Sequence, residues 1–362
     1  MISSETESDM AELYVLGGRQ RKALLKDPTK EWHWYEAALI LQVDTESGRV
    51  KTCVEYRTPP EARASDSASI NFHAGALVNN VLYTCTTTEV LIFRLPRFEK
   101  IGYVSLSCFN DLHHVMPAAD GNLLVVSTGL DMVVKMTPQG ETVAEWSVVE
   151  NDPWARFSRD VDYRKVETTK PHKSHPNFVF ELDGEIWVTR FNQRDAICLN
   201  DSGKRIDIGV EKPHDGLVCG DRILFSVVDG KIVIVNRHTL KVEEIVDLRQ
   251  IRDRDQEVLP AWCRSLLPMD ERRAWVGFTR IRKTLFRENV RWVKSVLREG
   301  TVVRPTHIAL YDIVEKQCLQ EIDLEPYGMN TIFGIFPAFG QQQGREGSLS
   351  TAAKEDDFDR LE

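Results

Sequence analysis

Short strand-like runs recur along this chain in groups of four, each group occupying roughly 40 residues. The clearest group, residues 113–149, reads HHVMPAADG, NLLVVSTG, MVVKMTPQG and ETVAEWSVV. Apolar and polar residues alternate within the runs, as in strands with two different faces. Asp-Gly, Asn-Asn, Gly-Asp or Gln-Gly pairs separate them, and such pairs accept the backbone of a tight hairpin turn. Similar groups run from His73 to Leu106, from His175 to Val210 and from His214 to Leu248. A fifth begins at WCRSLLPMDE and RRAWVGFTR, resumes at THIALYDIVEK and QCLQEIDL, and ends at Leu324.

One strand then remains, TIFGIFPA over 331–338, and three precede the first group: ELYVLGG, YEAALILQVD and RVKTCVEY. One and three complete a sixth group, split between the ends of the chain. Four-stranded repeats of this length mark propeller blades. The expected fold is therefore all-β: a six-bladed β-propeller with one blade shared between N- and C-terminal strands. Sharing pairs the terminal edges, which would otherwise invite aggregation. The common turn chemistry and the surplus strand at each end argue against a β-sandwich or two small barrels. A length of 362 residues alone would suggest two domains. The ring accounts for 1–338 as one.

Three segments break the pattern. Residues 150–172 are polar with interspersed aromatics and read as a loop over one mouth of the ring. Residues 283–298 place Phe286, Val290, Val293 and Leu297 at helical spacing, which predicts an amphipathic helix inserted in the fifth blade. Residues 339–362 are rich in Gln, Gly and Ser and then acidic, the composition of a disordered tail.

A net charge of −9 argues against general nucleic-acid binding, which needs a basic surface. The seven cysteines are scattered singly without a C-x-x-C pair, so neither a disulfide framework nor a zinc ribbon is expected. The N-terminal stretch MISSETESDM lacks the basic and apolar regions of a signal peptide, and no apolar run is long enough to cross a bilayer. These features point to the cytoplasm.

In a propeller the first strand of each blade lines the central channel, so residues at its start converge on one mouth. Aligned on the first turn, the groups put His73, His113 or His114, His175 and His214 at this point. Counting back from Asp120 favours His113, although a one-residue bulge would exchange it with His114. The fifth blade offers Cys263 and Arg264 here, and the sixth Asn330 and Thr331. Four of nine histidines in register exceed what composition supplies. Neutral imidazoles suit Fe(II), Zn(II), Cu(II) or Ni(II), and an open coordination position would be the catalytic one. A channel histidine that only bonds backbone or water is the plainer alternative.

Asp111 and Asp215 lie beside the ring, where each would orient an imidazole, act as a base or cap a turn. Arg264 suits a carboxylate, sulfate or phosphate, or else pairs with Asp270 or Glu257. Trp262 and Tyr327 are candidate aromatic walls, with Asn330 as a further substrate contact. The basic run Arg280–Arg304, with Trp292, suits either a solvated helix face or a peripheral contact with an anionic surface or partner. No phosphate loop, nucleophile elbow, zincin or dinucleotide motif is present.

The stretch FNDLHHVMPAADGNLLVVSTG resembles strand pairs of the NHL, TolB-like and arylsulfotransferase-type six-bladed propellers, in which a histidine precedes a D-G-N or N-G-N turn. The run from WCRSLL through RAWVGFTRIR to PTHIALYDI and MNTIFGIFP is similar to uncharacterised bacterial propellers, a likeness that implies no activity. Among propellers, α-amidating lyases set histidines around zinc, arylsulfotransferases use channel histidines with an arginine, and the seven-bladed carotenoid-cleaving oxygenases hold iron with four histidines. By resemblance, His73, His113, His175 and His214 take any of these roles. Three expectations follow. The first is a metal-dependent enzyme, with Fe(II) or Zn(II) on the histidines and a small, anionic organic substrate on Arg264. The second is a metal-free lyase or transferase using a channel histidine and Arg264. The third is a non-catalytic scaffold.

Overall fold

A computed structural model describes residues 12–22, 33–252, 261–281 and 304–338. Within them, strands β1 (Glu12–Gln20), β2 (Tyr35–Asp44) and β3 (Val50–Tyr56) open the chain. The next blade is β4 (Ala76–Val78), β5 (Val81–Cys85), β6 (Val90–Arg94) and β7 (Glu99–Val104). It is followed by β8 (Leu112–Pro117), β9 (Leu123–Ser127), β10 (Met132–Met136) and β11 (Thr142–Ser147). Then come β12 (Pro176–Leu182), β13 (Glu185–Arg190), β14 (Asp195–Cys198) and β15 (Arg205–Asp207). A further blade is β16 (Leu217–Cys219), β17 (Arg222–Val227), β18 (Lys231–Asn236) and β19 (Val242–Asp247), with the one-turn helix α1 (Leu248–Arg252) after it. The last complete unit is β20 (Trp262–Pro268), β21 (Arg273–Thr279), β22 (His307–Asp312) and β23 (Gln317–Asp323).

The final strand, β24 (Thr331–Pro337), pairs antiparallel with β1, giving a sheet in the order β24-β1-β2-β3. Its register, Leu13 opposite Pro337 and Val15 opposite Ile335, joins the two ends of the chain in one blade. This is the six-bladed propeller expected from the repeat. The inserted helix at 283–298 and the tail at 339–362 lie outside the described residues, and α1 was not anticipated.

Alternation along each strand decides how neighbouring blades pack. In β9, Leu123 and Val125 join one apolar cluster with the β4–β7 blade, while Leu124 and Val126 join another with the β12–β15 blade. The same division recurs around the ring, giving one cluster at each of the six blade interfaces. A middle strand is therefore buried on both faces, whereas the outer strand β23 exposes alternate residues and β7 is exposed along most of its length. Cys85, Cys108, Cys198 and Cys263 are buried free thiols within these clusters, where they serve as small hydrophobes.

Two glycines permit the closest backbone approaches near the channel. A Cβ on Gly17 would stand 1.7 Å from the Thr331 carbonyl oxygen, and one on Gly75 would stand 1.9 Å from that of Tyr83.

Candidate functional site

Irregularities in the inner strands aim the side chains of one cavity. The β8–β9 register passes from Leu112 to His114 and leaves His113 as the extra residue. The β20–β21 register likewise skips Arg264, and the β1–β24 register skips Phe333. A bulged residue is released from the ladder and can turn toward the axis. In each of these blades it faces the mouth cavity. His73 and His214 instead lie three residues before the short strands β4 and β16, held by bonds from their backbone N–H groups to Cys85 O and Ser226 O. His175 immediately precedes β12 with φ of 59°.

These side chains line one cavity of ≈ 190 Å³. The His73 and His113 ring centroids are 4.7 Å apart, His113 and His175 4.9 Å, and His113 and His214 6.1 Å. Phe333 takes the place of a sixth-blade polar residue and stacks on His73 at 4.4 Å. Arg264 lies between the rings of Trp262 and Phe333, 5.0 Å from each centroid. His73 is 4% exposed, and neither of its ring nitrogens has a hydrogen-bond partner. Such orphaned polar atoms are uncommon in a buried setting and call for a ligand or water. His113 Nδ1 lies 2.8 Å from the Asp111 carbonyl oxygen. A carbonyl only accepts, so Nδ1 carries the proton and Nε2 keeps a bare lone pair.

Burial keeps the imidazoles neutral. It holds His73, His175 and His214 well below their ordinary value, and neighbouring histidines or Arg264 add to the effect. His113 falls to about 4 for the same reason, with the Asp111 charge opposing. His214 Nδ1 is 3.0 Å from Asp215 Oδ1, and Ser226 Oγ donates to the other carboxyl oxygen at 2.9 Å. The His214 ring also bonds the Arg264 backbone. Burial raises the Asp215 carboxyl well above the usual carboxylate range. Asp111 is held below that range: burial opposes its charge, but His113 and Lys170 outweigh it.

The mouth loop contributes chemistry as well as cover. Arg164, Val166, Glu167, Thr168 and Lys170 line the cavity. His172, from the same loop, places Nδ1 2.9 Å from His175 Nδ1. Asp111, His172 and His175 each offer a donor atom within 4.8 Å of the others, the one such trio among the described residues. The turn carrying His175 is pinned by buried Asp131, which accepts from the backbone N–H groups of Lys173, Ser174 and His175 at 2.8–3.0 Å. Arg156 completes that carboxylate's partners at 2.6 Å.

Other sequence candidates take different positions. His114 points between blades, stacked on Phe178 at 3.7 Å and bonded to the backbone of Gly75 and Val179. Asn330 binds the β1 backbone through Gln20 and Gly18, and it does not line the cavity. Tyr327, 42% exposed on a 3-10 turn, is also outside the lining. Cys263 is buried in a blade interface, and Asp270 is engaged with Arg273 rather than Arg264. Trp262 does line the cavity. The basic run from residue 282 to 303 lies outside the described residues, as does Glu257. Among the described residues no helix is long and apolar enough to cross a membrane.

Sequence reasoning missed His172 and Phe333. It also missed a ring of buried hydroxyls near the end of the second strand in five blades: Thr84, Ser127, Thr189, Ser226 and Thr279. These bond the inner segments at His73 O, Asn110 O, Phe178 N, Asp215 and Ile332 N respectively. The signal was present in YTC, VVST, VTR, FSV and GFT.

Fold and cavity together define a six-bladed β-propeller with a histidine- and arginine-lined channel mouth. No protein-family model matches the chain, and no curated protein does. Among solved structures it is similar to a protein of unknown function from Bacteroides caccae, with a TM-score of 0.56 and 12% identity. That match covers 91% of this chain and 100% of the other. A structure described as a nidogen/laminin complex gives a TM-score of 0.52 at 8% identity, covering 89% of this chain and 97% of that one. At these identities the likeness concerns the fold alone.

Proposed function

We propose that the chain is a metal-dependent enzyme that holds Fe(II) or Zn(II) on its channel histidines and acts on a small organic anion. The observation that carries this reading is His73: a buried imidazole with two unbonded nitrogens, facing a second imidazole with a bare Nε2. Imidazoles are the ligand type such an ion takes. Among the described residues no three of the channel histidines bring donor atoms within 4.8 Å of one another, so they would have to draw together on binding it. His73, His113, His175 and His214 come from four blades, and three imidazoles with an open position suffice for a catalytic site. A bound metal would act as a Lewis acid or activate water. Asp215 would orient His214, as carboxylates commonly orient metal-binding histidines.

Arg264 supports the anionic substrate. Its guanidinium is fixed in direction by Trp262 and Phe333, and it lies beside the imidazoles. Arg63, Arg164, Lys170 and Arg280 also line the cavity against Asp111 and Glu167, although Asp66, Asp162 and Glu325 neutralise three of these cations. Elemental analysis after reconstitution with Fe(II) or Zn(II) tests the metal. The channel-bound ion is expected in the wild type and is expected to be lost in a His73→Ala, His113→Ala variant; wild-type protein that folds but retains no metal overturns the reading. Arg264→Leu is expected to weaken a probe such as benzoate or sulfate tenfold or more by calorimetry, as the loss of a charge-assisted contact predicts.

A metal-free lyase or transferase is favoured by one observation, the buried His214–Asp215 pair beside Arg264. Anion binding and turnover that survive exhaustive chelation would select it.

A further inference from the structure

We propose a second divalent transition-metal position beside the same cavity, formed by Asp111, His172 and His175. It goes beyond the channel-histidine site by taking His175 from that set and adding two new ligands, Asp111 from the turn before β8 and His172 from the end of the mouth loop.

Hydrogen bonding around His172 fixes its tautomer. Thr169 Oγ has one proton and donates it to Gly129 O at 2.5 Å. At 3.3 Å from His172 Nε2 the same oxygen must then accept, so Nε2 carries the imidazole proton. His172 Nδ1 is left with a lone pair, directed at His175 Nδ1 2.9 Å away. His172 is 5% exposed, so this lone pair lies where solvent has little access.

Coordination geometry gives that spacing a second meaning. Metal–nitrogen bonds of about 2.1 Å place two ligand nitrogens about 3 Å apart at the right angle of an octahedral site. At the tetrahedral angle of zinc the spacing is about 3.4 Å, so a few tenths of an ångström separate the present contact from either. The 2.9 Å contact is therefore close to the edge of a coordination polyhedron. A cation there replaces the single proton that the two Nδ1 atoms now share, and His175 keeps one proton by shifting it to Nε2. Metal bonds thus form at both Nδ1 atoms while the Nδ1–H···Nδ1 bond is lost. Asp111 supplies the third donor and an anionic charge against the ion. Two imidazoles and a carboxylate suit Fe(II) or Zn(II). His73, His113 and His214 then remain for the inner metal.

The scaffold holds this trio in place before any ion arrives. Three N–H bonds to Asp131 fix residues 173–175, and Asn192 Nδ2 donates to His172 O at 3.2 Å. Two adjacent cations would share an anionic substrate, one binding the charged group and the other polarising the reacting oxygen.

Zinc content per chain tests the proposal on protein stripped with a chelator and dialysed against Zn(II). The wild type is expected to hold two zinc ions, and His172→Ala, Asp111→Asn and His73→Ala one each. The His73→Ala, His172→Ala double variant is expected to hold none. One zinc in the wild type, unaffected by His172→Ala or Asp111→Asn, overturns this position and leaves the inner site standing. One zinc lost on His172→Ala but kept on His73→Ala overturns the inner site and retains this one. No zinc in any folded form overturns both. Asp111→Asn preserves side-chain shape and carries the test if His172→Ala fails to fold.

Discussion

Adjacent histidines in the same strand, His113 and His114, meet opposite environments. His113 is the bulged residue and turns to the cavity, while His114 fills the space between two blades. His114 Nε2 donates to Gly75 O, and its Nδ1 accepts from Val179 N–H. A second proton on Nδ1 would face that N–H, and burial lowers the imidazole to about 3. The sign follows from linkage. Below the ordinary value of about 6.5 the unfolded chain takes up a proton that the folded chain refuses. This contribution is full above that pH and is lost as pH falls toward 3, a few kcal/mol in order of magnitude. Thermal melts of metal-stripped protein between pH 7 and 4 should show this decline, and His114→Gln should make it shallower. An equally steep decline in that variant would remove His114 as a cause.

At the scale of elements, the bulges and close approaches matter more than strand propensity. Gly75→Ala and Gly17→Ala would each drive a methyl group into a neighbouring carbonyl oxygen. Each is expected to destabilise by about 3 kcal/mol, read as a lower denaturant midpoint at unchanged slope. Midpoints equal to wild type would show that the inner strands can spread. The strands themselves were legible because alternation and hairpin turns are local. The repeat placed four histidines at one mouth for the same reason, since a cyclic array turns sequence register into spatial register. Its reach ended where a single extra residue changed the count. The alignment pointed to Asn330 and Thr331 in the sixth blade, but the bulge turns Phe333 inward. His172 was missed because residues 150–172 have no period to read, and their path depends on anchors distant in sequence, such as Asn110 with Tyr163 and Val166.

For the whole molecule, stability depends on closing the ring. β24 brings Ile332 and Ile335 to the interface with the preceding blade, Phe333 to the cavity and a partner to the β1 edge. A chain ending at residue 330 is expected to lose its cooperative melt and to elute as aggregate on size exclusion, because one blade interface and one strand edge open together. A monomer with an unchanged melting temperature would show that five blades and a three-stranded remnant suffice. The closing strand also determines how the ring can be tethered. β24 starts at the histidine-bearing mouth and runs away from it, and Ala338 N–H bonds Glu12 O at the far end. Polypeptide entering at residue 12 and leaving at residue 338 therefore passes through neighbouring points on the face opposite the cavity. A carrier, label or immobilising support joined at residue 12 or 338 itself would sit on the face away from the channel mouth.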